Sequence, residues 1–167
     1  MNVLENNQIS YLSLHSVLVD YPSYKEKIIT SYLKLIKQLS DTVIYDVDKF
    51  MVNLNQINNY GIIYVACLNL PPSDDFIIIG SGTCFLEPKI IHNFMNVGHI
   101  EDIVVDANFR GKGIVHNILN NLKNYAVTNN CYKVILDCHS DLVKVYSKSS
   151  YIQKGVQMAI YFYNYKN

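Results

Sequence analysis

Apolar positions between Tyr24 and Leu39 recur at helical spacing: Ile28, Ile29, Tyr32, Leu33, Leu35, Ile36 and Leu39, with Lys and Gln between them. They predict a helix that Ser40-Asp41-Thr42 ends. A second helix is predicted from Asp46, its N-cap, to about Asn58, with Phe50, Leu54 and Ile57 on one face. The pattern then changes. "YGIIYVACLNL" and "DFIIIGSGTCFLE" read as antiparallel strands around the turn "PPSD", and "VGHIEDIVV" as a third strand. Ile114, Ile118, Leu119, Leu122 and Ala126 mark a helix beginning near Gly113, and "CYKVILDC" a fourth strand. A short helix from Leu142 to Lys148 and a final pair of strand-like pieces through "GVQMAIYFY" complete the chain. No repeat, low-complexity block or linker interrupts it, so residues 1–167 are expected to form a single α/β domain.

Composition narrows the function classes. Half of the 167 residues are hydrophobic, formal net charge is zero, and the sequence pI is near 6.9. Such a chain buries a genuine core but has no global field to gather nucleic acid or an anionic membrane. The N-terminus "MNVLENNQIS" lacks a basic stretch followed by an apolar one, and no apolar run reaches bilayer length. The expectation is a soluble, cytoplasmic protein with no nucleic-acid or membrane partner. Cys67, Cys84, Cys131 and Cys138 show neither C-x-x-C pairing nor disulfide-scaffold density, which predicts reduced, buried thiols and no metal.

The chemistry concentrates in "GHIEDIVVDANFRGKGIVHNIL". A strand ends at Val105, a turn follows, and a helix opens near Gly113. Backbone N–H groups at such an opening lack intrahelical partners and sit at the positive end of the helix dipole. Gly111 and Gly113 let an anion approach, while Arg110 and Lys112 add charge. Alone, the pattern is either this cradle or a glycine-softened turn. The P-loop spacing is not met, and the dinucleotide fingerprint belongs early in a parallel βαβ unit, not after an antiparallel meander. Glu101 and Asp102, adjacent acids inside an apolar strand, point to opposite faces unless a bulge intervenes. Asp137 closes an apolar strand, where alternation sets it on one face with Lys133 and Ile135, and a carboxylate buried there needs partners.

Element order together with the R-x-x-G-x-[G/A]-like run "RGKGIV" resembles the GNAT superfamily of N-acetyltransferases. "KIIH", "GHIEDIVV", "RGKG", "CYKVILDC" and "VKVY" are similar to the run found in eukaryotic glucosamine 6-phosphate N-acetyltransferases, densely over roughly residues 85 to 160. The resemblance implies a central, mostly antiparallel mixed sheet flanked by helices, whose middle strands splay to admit acetyl-CoA. It implies that Ile103, Val104, Val105, Arg110, Gly111, Lys112, Gly113 and Ile114 bind that cofactor, and that the Ile103 N–H serves the thioester oxygen. By the same resemblance Tyr146 protonates the leaving thiolate, and Asp137 and Glu101 complete the catalytic set. Thr42, Lys89, His92, Glu101, Asp102, Lys133 and Asp137 would then hold the sugar phosphate, in a homodimer whose C-terminal strands cross to the partner. Three positions depart from the family: Val115 stands for Gly or Ala, Leu142 for an Asn and Tyr161 for an Arg. The alternatives are the same fold acting on another small amine or a protein N-terminus, and a non-catalytic acetyl-CoA-binding homologue.

Overall fold

A computed structural model of the chain describes residues 8–40 and 43–162, which divide between two compact units, Met1–Leu136 and Asp137–Asn167. The first unit is built on a five-stranded sheet in the order β1 (Ile9–Ser13), β2 (Gly61–Leu68), β3 (Ile77–Pro88), β4 (Asn96–Val105) and β5 (Cys131–Leu136). β1 to β4 pair antiparallel, and β4 pairs β5 in parallel. This is the mixed, mostly antiparallel sheet that the resemblance implies.

Helices α1 (Leu14–Asp20), α2 (Lys25–Ile36) and α3 (Val47–Tyr60) share one core with alternate residues of β2. Ile63, Val65 and Cys67 meet Leu14, Val17, Ile28, Ile29, Leu35 and Leu54, all at most 3% exposed. Side-chain alternation along the strand turns Ala66 away from that core. Helix α4 (Ile114–Thr128) buries Ile114, Ile118, Leu119, Leu122 and Ala126, the stripe its sequence spacing predicts. The cap of α3 is also as read: the Asp46 side chain accepts from the Lys49 N–H. Helix α2 is shorter than expected, ending at Ile36, and Leu39 beyond it is exposed.

Two elements escaped the reading. β1 and α1 are short, and α1 is announced mainly by Ser13, whose hydroxyl accepts from the Ser16 N–H at 3.0 Å. The final strand is a correction: described residues beyond Ser150 form neither strand nor helix, and Val156 and Met158 are 91% and 92% exposed. A strand exists through ladder bonds to a neighbour, so an apolar, β-prone sequence without one stays irregular. The second unit contains α5 (Val143–Ser147), matching the short helix expected there.

Close backbone packing at the start of β2 makes Gly61 a sensitive position. A Cβ there would lie 2.2 Å from the Cys84 carbonyl oxygen and 3.0 Å from the Phe85 Cα, backbone atoms of the paired strand that cannot swing aside. Gly61→Ala is expected to destabilise the protein by about 1–3 kcal/mol, the ordinary cost of overpacking. A lower urea midpoint at unchanged slope is the predicted readout, and an unchanged midpoint contradicts the packing argument.

Candidate active site

β5 stops short of the end of β4. Pairing with β5 runs from Asn96 opposite Cys131 to Ile100 opposite Leu136 and goes no further, although β4 continues to Val105. On the other edge the register to β3 shifts between Ser81 opposite Val104 and Thr83 opposite Glu101. Asp102 sits in this break with a φ of 53°, a left-handed conformation uncommon for a non-glycine residue. The acidic pair therefore marks a β-bulge, which bends a strand and increases its twist. Partial burial pushes the Asp102 carboxyl upward from its ordinary pKa.

Beyond the bulge the backbone directions follow from one bond. The Asp106 N–H donates to the Ile79 carbonyl at 2.9 Å, on the β3 side. Alternation along the strand points the Val104 N–H the same way and those of Ile103 and Val105 to the opposite edge, where β5 no longer pairs. Val104 turns its side chain into the core shared with α2. Ile103 thus offers a backbone donor on the stretch of β4 that runs beyond the end of β5.

The turn after β4 meets the conditions for an anion cradle. Gly111 and Gly113 have φ of 77° and 76°, and a Cβ at either would meet nothing within 4 Å. Their left-handed conformation favours glycine, and open space lies beside both. Gly113 is the N-cap of α4 and makes no side-chain capping bond, so the first-turn amides of the helix have no side-chain acceptor at that position. Arg110 is less available than expected: its Nε donates to the Val105 carbonyl at 3.1 Å, which binds its guanidinium to the end of β4. Lys112 holds its Nζ 5.0 Å from the Phe109 ring centroid, beside the glycines. Val115, next to Ile114, is half-buried.

The expected sugar-phosphate cations divide into two groups. His92 stacks near the Tyr132 ring, centroids 4.2 Å apart, and the Lys133 Nζ lies 5.5 Å from the same ring. Tyr132 thus brings these two together, a role its place in "CYKVILDC" did not reveal. Lys89 is instead paired with Glu87, whose other oxygen lies 2.7 Å from the His99 Nε2. Lys89 and His99 together hold the Glu87 carboxyl below its usual pKa. The alternation of β3 and β4 could have found this triad, since Glu87 opposite Val97 is a near neighbour of His99. Glu101 is exposed, and Thr42 lies outside the described residues.

Tyr146 and Asp137 belong to the second unit. Tyr146 projects from α5 and meets Tyr151 edge-on, centroids 6.2 Å apart at 73°. Burial, with a smaller contribution from Cys138, pushes the Tyr146 phenol above its ordinary pKa and keeps it protonated at neutral pH. Asp137 is not a buried strand residue, because β5 ends at Leu136; it is exposed and accepts from the Gln157 Nε2 at 3.0 Å.

All four cysteines are free thiols, but only Cys67 and Cys84 are buried, whereas Cys131 is half-buried and Cys138 exposed. Burial pushes both Cys67 and Cys84 up to about 12. Neither is a poised thiolate. Among the described residues no cluster of His, Cys, Asp and Glu is arranged to hold a metal ion, and no helix is long and apolar enough to cross a membrane.

β4 runs on past the end of β5 beside a glycine-opened helix start, and residues 37–150 match the family described as the acetyltransferase (GNAT) family. The chain belongs to that family. Among curated relatives, it is 37% identical over 134 residues to a probable glucosamine 6-phosphate N-acetyltransferase 2 of Oryza sativa, covering 78% of this chain and 80% of the relative. It is 38% identical over 130 residues to glucosamine 6-phosphate N-acetyltransferase 1 of Dictyostelium discoideum, covering 78% and 82%. The crystal structure of glucosamine-6-phosphate N-acetyltransferase from Arabidopsis thaliana superposes with a TM-score of 0.72 at 28% identity, over 95% of this chain and 99% of that one.

Proposed function

We propose that this chain transfers the acetyl group of acetyl-CoA to the amine of D-glucosamine 6-phosphate, directly and within a ternary complex. The observation that carries the reading is the conjunction of the unpaired end of β4, beyond the last residue of β5, with the open Gly111–Gly113 turn, in a chain whose relatives bear this activity in their names.

Acetyl-CoA supplies the activated acetyl group when bound. The amides of Gly111, Gly113 and Ile114 suit its pyrophosphate, Lys112 adds charge at the rim, and the open edge of Ile103–Val105 suits its extended arm. The Ile103 N–H would donate to the carbonyl oxygen as negative charge develops there. The amine nitrogen forms the new bond to the acetyl carbon as the carbon–sulfur bond breaks. Tyr146 gives its phenolic proton to the departing sulfur, and its raised pKa favours the protonated form that this needs. The amine loses a proton as the amide forms, and the carboxylates Asp137 and Glu101 are its proposed acceptors. Much of the acceleration is assigned to holding both substrates in register.

For the sugar, the proposed contacts are Lys133 and His92 as the phosphate clamp, Lys89 through its shared carboxylate network, Asp102 at the bulge, and Thr42. Lys133→Met is expected to raise the KM for glucosamine 6-phosphate about tenfold, the loss of one charge-assisted bond. Turnover of free glucosamine at high concentration should hardly change. Equal impairment on both sugars contradicts the clamp.

The same reading extends to a product that enters UDP-N-acetylglucosamine biosynthesis, to a cytoplasmic setting that suits four free thiols, and to a homodimer. Val156, Met158, Ile160, Tyr161 and Phe162 support the dimer, because each is at least 75% exposed and apolar or aromatic. Sedimentation at micromolar concentration tests it, and a monomer there refutes it.

A further inference from the structure

The phosphate cradle needs its approach held still, and the bonds that hold it come from α2. The Ala107 N–H donates to the Gln38 Oε1 at 3.1 Å, while the Gln38 Nε2 donates to the Asp106 Oδ2 at 2.9 Å. One amide side chain thus grips two successive residues at the end of β4. Asp106 then anchors the turn from within: its Oδ1 accepts from the Asn108 N–H at 2.9 Å, and its carbonyl accepts from the Phe109 N–H at 2.8 Å. Its own N–H reaches back to the Ile79 carbonyl at 2.9 Å. Phe109 carries Lys112 over its ring, and Arg110 closes onto Val105. Hydrogen bonds run from Gln38 through Asp106 to Phe109, and the Phe109 ring lies under the Lys112 ammonium between Gly111 and Gly113.

We propose that Gln38 is a positioning residue for the cofactor cradle: its side-chain amide fixes the Asp106–Phe109 turn and thereby aims the backbone amides of the Gly111–Gly113 segment. The role rests on the reading of that segment as the pyrophosphate site. Gln38 itself is exposed and lies just past the end of α2, where its own N–H bonds the Leu35 carbonyl. It contributes nothing to the core, so an amide with both ends engaged there has a local purpose.

The chemistry of the amide supplies a discriminating test. Only a side chain that accepts at one end and donates at the other satisfies both the Ala107 N–H and the Asp106 carboxylate. Gln38→Ala removes both bonds. Gln38→Glu keeps an acceptor for Ala107 but sets a second carboxylate against Asp106, until acid protonates one of the two and restores a donor. Desolvation raises the Asp106 carboxyl, but hydrogen bonds from Asn108 and Gln38, with Lys34 on α2 as the nearby cation, outweigh it and leave it below its ordinary range. In Gln38→Glu the bond from Gln38 is gone, and one proton taken by either carboxyl as pH falls restores a donor between them.

Calorimetric titration with CoA checks this on the full chain. Gln38→Ala should weaken CoA binding about fivefold to tenfold, the net worth of such bonds. The melting temperature should stay near that of the unaltered protein, and the KM for acetyl-CoA should rise more than kcat falls. Gln38→Glu should bind CoA as poorly at about pH 7.5 and recover towards the unaltered protein near pH 5, where a carboxyl begins to protonate, both referenced to the unaltered protein at the same pH. An unchanged affinity in Gln38→Ala, or the same pH profile for Gln38→Glu and the unaltered protein, overturns the role of Gln38 while leaving the cofactor reading intact. If the unaltered protein binds no CoA, the acetyl-transfer reading fails and this role fails with it.

Discussion

Tyr146→Phe is expected to lower kcat about 10²-fold, near the lower end of what a positioned general acid contributes. CoA binding should stay nearly unchanged, because the phenolic proton is needed only as negative charge grows on the leaving sulfur. The substitution keeps the ring that packs edge-on against Tyr151 and removes only the oxygen. The pH profile gives a second signature. Burial raises the Tyr146 pKa, with Cys138 adding to it, so the protonated donor persists at and above the ordinary tyrosine value. Activity of the unaltered protein should therefore hold up to at least about pH 10 before loss of this proton limits it. In Tyr146→Phe that alkaline fall should be missing. A variant with unchanged kcat across pH removes Tyr146 from the mechanism.

Gly113→Val should weaken CoA binding by about 10²-fold, the loss of two hydrogen bonds to a charged group. The backbone at Gly113 has φ 76°, a region that a β-branched residue rarely adopts, and the new side chain would stand in the open space beside the turn. A residue forced to remain left-handed costs about 1–2 kcal/mol, and one that relaxes re-aims the first amides of α4. Either way the loss falls on the cofactor. Glucosamine 6-phosphate affinity should be far less affected, because its assigned cations, Lys133 and His92, are organised on Tyr132 away from this turn's own bonds. Equal losses for the two ligands in calorimetry indicate misfolding and contradict the cradle.

What could be read from the chain alone follows physical lines. α4 was legible to the residue because a fifteen-residue helix repeats its apolar stripe enough times to be unmistakable. The capping carboxylate of Asp46 was legible because its bond is local. The bulge at Asp102 was half legible: two adjacent acids in an apolar strand require either a surface partner or a break in alternation, and the register shift to β3 settles which. Pairings distant in sequence were not legible. Gln38 gripping Asp106 depends on how a helix end and a strand are set side by side, whereas Lys89 bonding Glu87 and Arg110 bonding Val105 are close in sequence and depend on where β3 and β4 end. The C-terminal run has the composition of a strand, but composition cannot say whether its partner belongs to the same chain.

On the proposed reading, the departures from the family are expected to bear on affinity more than on architecture. Val115 is half-buried behind the cradle, whereas Tyr161 is exposed and leaves one fork-shaped phosphate donor missing. Binding of the sugar phosphate is then expected to rest chiefly on Lys133 and Lys89, the second of which already shares Glu87.

The most direct test of acetyl transfer to an amino sugar phosphate is the rate of CoA thiol release from acetyl-CoA, with glucosamine 6-phosphate compared against free glucosamine. The account predicts thiol release that requires the sugar, with kcat/KM at least about tenfold higher for the phosphorylated form, the worth of a charge-assisted phosphate contact. No sugar-dependent release, or free glucosamine as the better acceptor, would contradict it.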